Sequence, residues 1–333
     1  MKHKAIPLRI TGCALTSGLM LYIFGRYSVE LMGSYGYGLF LGLPFAGGFV
    51  SVLFFGEPLR NRLPVAACIG LYALAAGALF FLVTGFDGMI CLLLASPLMV
   101  LLALIGVVAA LLTRDLLSRL GTRNPNTRGP KVYCTAVLLI PLFVGMTAEP
   151  SLLPHPPTRM VNSSVVVHGD IATVWECVIA FPEITSPPGG IFNYGIAYPI
   201  RATIEGVGVG AIRRCTFNTG DFVEPITAWD APHRLAFDVV ENPLPMREWS
   251  PWGEIDALHL HGFMVSERGQ FQLTEQADGT VLLEGTTWYH QNLWPNAYWG
   301  AISDRIIHQI HGRVLEHIKG VVEGGGEGTS IED

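Results

Sequence analysis

The stretch Ser163-Ser-Val-Val-Val-His-Gly-Asp-Ile-Ala-Thr-Val-Trp-Glu-Cys-Val-Ile179 switches from one backbone period to another. Ser163–His168 reads as a strand rich in β-branched residues. Asp170 then stands as an N-cap, and the apolar positions 171, 174, 175 and 178 fall on one helical face. Pro182 and the cluster Pro187-Pro188-Gly189-Gly190 close the helix and open a loop. Strand periods recur at 200–206, 210–217, 221–229, 233–241, 262–274 and 280–290. Turn residues separate several of them, as at Gly206–Gly210, Asn218–Gly220, Asp230–Pro232 and Asp278-Gly279. The last element is a long helix from about Asn296 to Val322. Trp299, Ile302, Ile306, Ile310, Val314 and Ile318 form its apolar stripe.

The order is strand, helix, a run of antiparallel strands and a long closing helix. A strongly curved sheet cannot fill its own concave side, so an amphipathic helix laid across it encloses an apolar cavity. Residues 160–323 resemble the SRPBCC superfamily, the START-like or Bet v 1-like helix-grip fold of polyketide cyclase/dehydrase type. The resemblance is carried by Ser163–Glu176, Gly208-Val-Gly-Ala-Ile-Arg213, Phe222-Val-Glu-Pro-Ile-Thr-Ala-Trp-Asp230 and Arg234-Leu-Ala-Phe-Asp238. It implies an α+β domain with a cavity for a hydrophobic ligand. The superfamily spans carriers, receptors, cyclases and oxygenase subunits, so the fold does not choose among these activities.

The preceding half is a different kind of protein. Residues 1–150 carry net charge +6 and residues 151–333 carry −12, within 333 residues that are 50% hydrophobic and only 14% charged. Soluble chains carry about 25% charge; the mean hydropathy of +0.42 points to a membrane part. A net charge of −6 argues against a nucleic-acid partner. Apolar runs occur at Ile10–Gly25, Tyr35–Gly56, Val65–Gly85, Met89–Leu112 and Val132–Thr147, against the roughly 20 residues that a bilayer crossing needs. Five spans is the leading count and four the alternative. No small-x-small cleavage site precedes Arg26, so the first run reads as a retained helix rather than a signal peptide.

With five spans, Lys2, Lys4, Arg9, Arg60, Arg62, Arg114, Arg119, Arg123, Arg128 and Lys131 share one side, and Arg26 alone marks the short loops of the other. Positive charge stays cytoplasmic. The expectation is therefore an integral membrane protein of the bacterial inner membrane, N-terminus inside and C-terminal domain outside. Domains are expected at 1–147 (helical membrane domain), 148–159 (extended Pro-rich linker), 160–323 (helix-grip domain) and 324–333 (disordered tail). Gly42, Pro44, Gly47 and Gly48 read as close helix packing or, alternatively, as a broken helix along a substrate path.

Candidate site residues follow from charge and aromaticity. Arg213 and Glu224 fall on adjacent strands, with Glu284 and Tyr289 on the last one. A buried Arg–Glu pair orients a polar ligand head or stands as a structural ion pair. Trp299, Ile306 and Ile310 supply the helix wall. Trp249 and Trp252 lie in the proline-rich insertion Pro243–Ala257, too long for a plain hairpin and suited to a lid or a membrane-touching loop. His259 with His261 and His308 with His311 are weak metal candidates against a background of ordinary hydrogen-bonded histidines. Cys177 and Cys215 read as buried thiols rather than a disulfide. Gly206-Val-Gly-Val-Gly210 reads as a hairpin turn, because a strand rather than a helix follows it. No cofactor motif or catalytic triad is visible. The leading expectation is membrane-anchored, extracytoplasmic binding or transfer of a hydrophobic small molecule or lipid. The alternatives are a cyclase/dehydratase-type enzyme on an aromatic or polyketide-like substrate, and a sensory or assembly module whose spans bind a protein partner.

Overall fold

The computed structural model describes residues 2–55, 63–119 and 128–324, with the backbone alone at 2–9 and 128–131. The expected loop cations Arg60, Arg62 and Arg123 and the tail beyond Gly324 lie outside the described residues, as do the side chains of Lys2, Lys4, Arg9, Arg128 and Lys131. The chain forms two units. One comprises Met1–Pro154 with the segments Glu248–Leu258 and Leu293–Pro295; the other holds His155–Arg247, His259–Asn292 and Asn296–Asp333.

The first unit is helical: α1 (Lys2–Arg26), α2 (Leu43–Phe54), α3 (Leu63–Val83), α4 (Met89–Arg119) and α5 (Arg128–Leu152). Among the described residues, three stretches are long and apolar enough to cross a membrane, namely Leu63–Val83, Met89–Arg119 and Val132–Leu152. The run after Tyr35 gives only a shorter apolar helix, Gly38–Phe54, whose start is a π-type turn. Leu79, Leu93, Leu101, Leu112, Val137 and Ile140 stand exposed on α3, α4 and α5. Small residues let the backbones meet: a Cβ on Gly48 would lie 2.0 Å from the Ala103 carbonyl oxygen, and one on Gly106 2.1 Å from that of Phe45. The glycines of α2 are thus packing residues.

The insertion contributes a small hairpin to this unit, β6 (Glu248–Ser250) with β7 (Gly253–Ile255). It ties down the connection between α3 and α4. The Glu248 carboxylate accepts the backbone N–H groups of Ile90 (3.0 Å) and Cys91 (2.7 Å) at the start of α4. The Trp252 indole donates to the Val83 carbonyl at the end of α3 (2.6 Å). One side chain caps a positive helix end and the other a negative one.

The second unit is a seven-stranded antiparallel sheet in the order β1-β9-β8-β5-β4-β3-β2. The strands are β1 (Arg159–Val167), β2 (Pro199–Glu205), β3 (Ile212–Phe217), β4 (Gly220–Asp230), β5 (Arg234–Asp238), β8 (Met264–Glu275) and β9 (Val281–Gln291), with α6 (Ile171–Ile179) and the long α7 (Asn296–Gly324). This is the helix-grip architecture. Asp170 caps α6, accepting from the backbone N–H of Ala172 and Thr173. Gly206, Gly208 and Gly210 turn β2 into β3 with φ of +91°, +84° and +90°, a region that side chains other than glycine rarely enter. The core gathers Val174 and Val178 of α6, Leu235, Leu273 and Leu283 of the sheet, and Leu315 and Ile318 of α7.

Two expectations need correction here. The segment after Thr147 is not an extended linker from its start, because α5 runs on to Leu152 and only the short stretch between it and Arg159 lacks regular structure. α5 holds Pro141 and Pro150 in its interior. The insertion is also not one loop: its Trp-bearing half belongs to the helical unit, whereas residues up to Arg247 belong to the sheet unit.

Candidate ligand cavity

Strand pairing fixes which residues face α7. Arg213 pairs with Glu224 and Cys215 with Phe222 across β3 and β4, and burial alternates along β3 with 213, 215 and 217 inside. Between this inner face and α7 lies a cavity of about 140 Å³. Its wall is mostly apolar: Phe217, Phe222, Phe237 and Phe271 from the sheet, Ile306, Ile310, Val314 and Leu315 from α7, and Pro243, Leu244, Pro245 and Met246 from the insertion. Those last residues are held in place. Ala197 N–H donates to the Pro245 carbonyl (3.0 Å), and the Thr219 hydroxyl to that of Leu244 (2.7 Å).

The polar end of the cavity is the Arg213–Glu224 pair, both residues buried. Arg213 Nη1 donates to Glu224 Oε2, and Nε to the Ile179 carbonyl at 3.2 Å. Three rings surround the guanidinium, with Phe181, Phe237 and Phe271 centroids at 5.8, 5.5 and 5.5 Å. Burial pushes the Glu224 carboxyl up, and the charge of Arg213 opposes that push. A guanidinium has five N–H donors; the Ile179 carbonyl, Glu224 and the Cys215 sulfur are its partners here. Cys215 lines the same end, and burial, with Glu224 nearby, pushes its thiol up to about 12. It stays a thiol at neutral pH and supplies no thiolate nucleophile.

Of the residues singled out in the sequence, Arg213, Glu224, Ile306 and Ile310 come together on the cavity wall. Tyr289 and Trp299 are buried outside it. The Tyr289 hydroxyl donates to Asp304 Oδ1 (2.7 Å), and Asp304 in turn takes the fork of Arg159. That carboxylate is therefore occupied by an ion pair and a hydroxyl. Glu284 pairs with Ser164 and sits one residue out of phase with the inward Leu283 and Gly285. Trp249 and Trp252 are exposed in the helical unit and do not line the cavity.

The histidine pairs separate. His259 is buried in a short turn and His261 is exposed. His308 and His311 both reach the Ser163 hydroxyl, at 2.8 and 3.1 Å. Elsewhere, in the helical unit, Asp87, Cys91 and Glu248 hold potential ligand atoms within 4.8 Å of one another; the backbone bonds to Gly88, Ile90 and Cys91 account for the placing of the two carboxylates. All six cysteines are free thiols. Sequence reading missed His311 as a cavity residue, together with Thr287, Ser266 and Gln270. The parity of β9 relative to the cavity, which a single sequence does not fix, was the missing signal.

No family model matches the chain, and no curated protein matches it. Among solved structures, the chain is similar to a protein from Nitrosospira multiformis at 18% identity, covering 50% of this chain and 99% of that one with a TM-score of 0.32. It is also similar to norcoclaurine synthase from Thalictrum flavum, solved with dopamine and hydroxybenzaldehyde, at 14% identity over 52% of this chain and 91% of that one, with a TM-score of 0.35. The Aha1 dimer from Colwellia psychrerythraea gives 13%, 51%, 99% and 0.31 in the same terms.

Proposed function

We propose that the protein is a membrane-anchored member of the SRPBCC superfamily whose helix-grip unit binds a small apolar molecule of about one aromatic ring. The observation that carries this reading is the cavity itself. An engineered protein cavity of about 150 Å³ stays dry and takes up benzene, and this one measures about 140 Å³ with an aromatic and aliphatic wall. That volume suits a single ring and is too small for a phospholipid chain, so the ligand is a small molecule that partitions into the bilayer rather than the lipid. Arg213 at the polar end gives such a ring one hydrogen-bonding direction, and apolar pockets with few placed polar groups are the usual form of ligand sites.

The membrane part is proposed to cross five times, with α1 and α2 as the first two crossings. Within the helical unit, Trp294 N–H donates to the Tyr35 carbonyl between α1 and α2 (2.9 Å), and the Glu248 hairpin holds the loop between α3 and α4. Both connections, and the end of α5, then share one side with the chain segments that return from the C-terminal half. This agrees with the cationic loops lying on the other side. The side carrying the ligand unit is proposed to be extracytoplasmic, in a bacterial inner membrane.

Native mass spectrometry of the full chain tests the ligand reading. Retention of a compound with the mass of a single-ring molecule supports it. A bound phospholipid in its place would make the protein a lipid carrier. A C-terminal periplasmic reporter should be active and a cytoplasmic one silent; the reverse would overturn the topology.

A further inference from the structure

The cavity wall carries a second polar feature, on the α7 side. His311 lines the cavity, as does Thr287 of β9. His311 Nε2 stands 2.8 Å from the Thr287 hydroxyl, and Nδ1 of the same ring 3.1 Å from the Ser163 hydroxyl of β1. Ser163 Oγ lies 2.8 Å from Nδ1 of His308, which is exposed one turn earlier on α7. Thr287, His311, Ser163 and His308 therefore form an unbroken hydrogen-bonded chain from the cavity to solvent. Packing alone does not ask for such a chain: two hydroxyls and two imidazoles, each able to accept at one atom and give from it or from the opposite nitrogen, stand in series. Burial, together with neighbouring His308, lowers the His311 imidazole to about 4, so the ring is neutral at pH 7 and keeps one nitrogen free to accept.

We infer that Thr287, His311, Ser163 and His308 conduct protons, and that the cavity is an acid–base site which ionises the hydroxyl of a phenol. The inference rests on the single-ring reading above. A phenol O–H gives its proton to Thr287 Oγ1, which passes its own to His311 Nε2. The Nδ1 proton of His311 moves to Ser163 Oγ, whose proton moves to His308 Nδ1, and His308 releases one from Nε2 to water. One proton leaves the ligand and one reaches solvent. The phenolate left behind accepts from the Thr287 hydroxyl, which carries the transferred proton. No oxidant, reductant or second substrate enters this step.

The test uses 4-nitrophenol with the full chain in nanodiscs, because its phenolate absorbs in the visible. Binding is measured first, then the relaxation of phenolate absorbance after a temperature jump. Ser163→Ala should leave the dissociation constant and the equilibrium phenolate fraction unchanged while slowing the relaxation about a hundredfold, and Ser163→Thr, which keeps the hydroxyl, should restore it. A purely structural Ser163 would shift melting temperature and affinity without this kinetic split. Wild-type relaxation in Ser163→Ala, or binding without ionisation in the wild type, overturns the proton path and leaves the ligand reading standing. Absence of binding overturns both.

Discussion

Replacing Glu224 by Gln leaves the Arg213 guanidinium buried against a neutral amide. Arg213 is 2% exposed and its surroundings are three phenylalanine rings, so water does not compensate the lost carboxylate. Removing one partner of a buried ion pair costs about 3–5 kcal/mol. Removing both, as in Arg213→Met with Glu224→Met, takes away the desolvation of two charges at once, which is often neutral or stabilising. The loss specific to this site is the donor to the Ile179 carbonyl, about 1–3 kcal/mol if nothing replaces it. The double variant is therefore expected within about 2 kcal/mol of wild type, closer to it than either single variant. For a unit of this size 1 kcal/mol moves the melting temperature by about 2–4 °C, so Glu224→Gln should lower it by about 6–20 °C. Thermal unfolding followed by tryptophan fluorescence of the full chain measures this, and the double variant should lose ligand affinity while keeping most of its stability. A Glu224→Gln variant as stable as wild type, or a double variant as unstable as the sum of the singles, would refute the reasoning.

The His311 imidazole lies below its ordinary value of 6.5, at about 4. Between these values the unfolded chain binds a proton that the folded chain refuses, so stability is complete above pH 6.5 and falls as the pH drops towards 4, by up to about 3 kcal/mol from this group. His311→Gln should flatten the difference between melting curves at pH 7 and pH 5, and an unchanged slope would count against a buried neutral ring. Glu248→Ala removes the carboxylate that accepts Ile90 and Cys91 N–H; a lost helix cap costs about 0.5–2 kcal/mol. Faster hydrogen exchange at the start of α4, with the sheet unit unaffected, is the expected readout. Asp170→Ala should destabilise the sheet unit by about 1 kcal/mol through α6, and a neutral result would mean that the cap is dispensable.

The elements of the C-terminal half were legible because their signals are local. Asp170 and the 171, 174, 175, 178 stripe place α6, glycine and aspartate mark the turns, and the α7 stripe runs unbroken from Trp299 to Ile318. Strand parity was not legible. Glu284 was a candidate until register with β1 and β8 put it outside and its neighbour Gly285 in the cavity. Arg213 and Glu224 were found because opposite charges on adjacent strands are conspicuous, whereas His311 and Thr287 are ordinary residues whose role depends on which face α7 turns inward. The docking of the tryptophan loop was not legible for a related reason. Proline density argues against a core strand, yet where Trp252 docks depends on a carbonyl at the end of α3, 169 residues earlier.

Gly285 offers the most direct test of the cavity as a single-ring site. A Cβ there would meet Leu315 and Phe271 at 3.7 Å, an ordinary contact, and would point into the cavity space. The measurement is the titration of fluorobenzene by 19F NMR against the full chain in nanodiscs, comparing wild type with Gly285→Ala and Gly285→Val. The account predicts a saturable bound signal in the wild type that weakens with alanine and disappears with valine, while the fold persists in both. Identical signals in all three proteins would mean that the probe resides in the bilayer alone, and would contradict the claim.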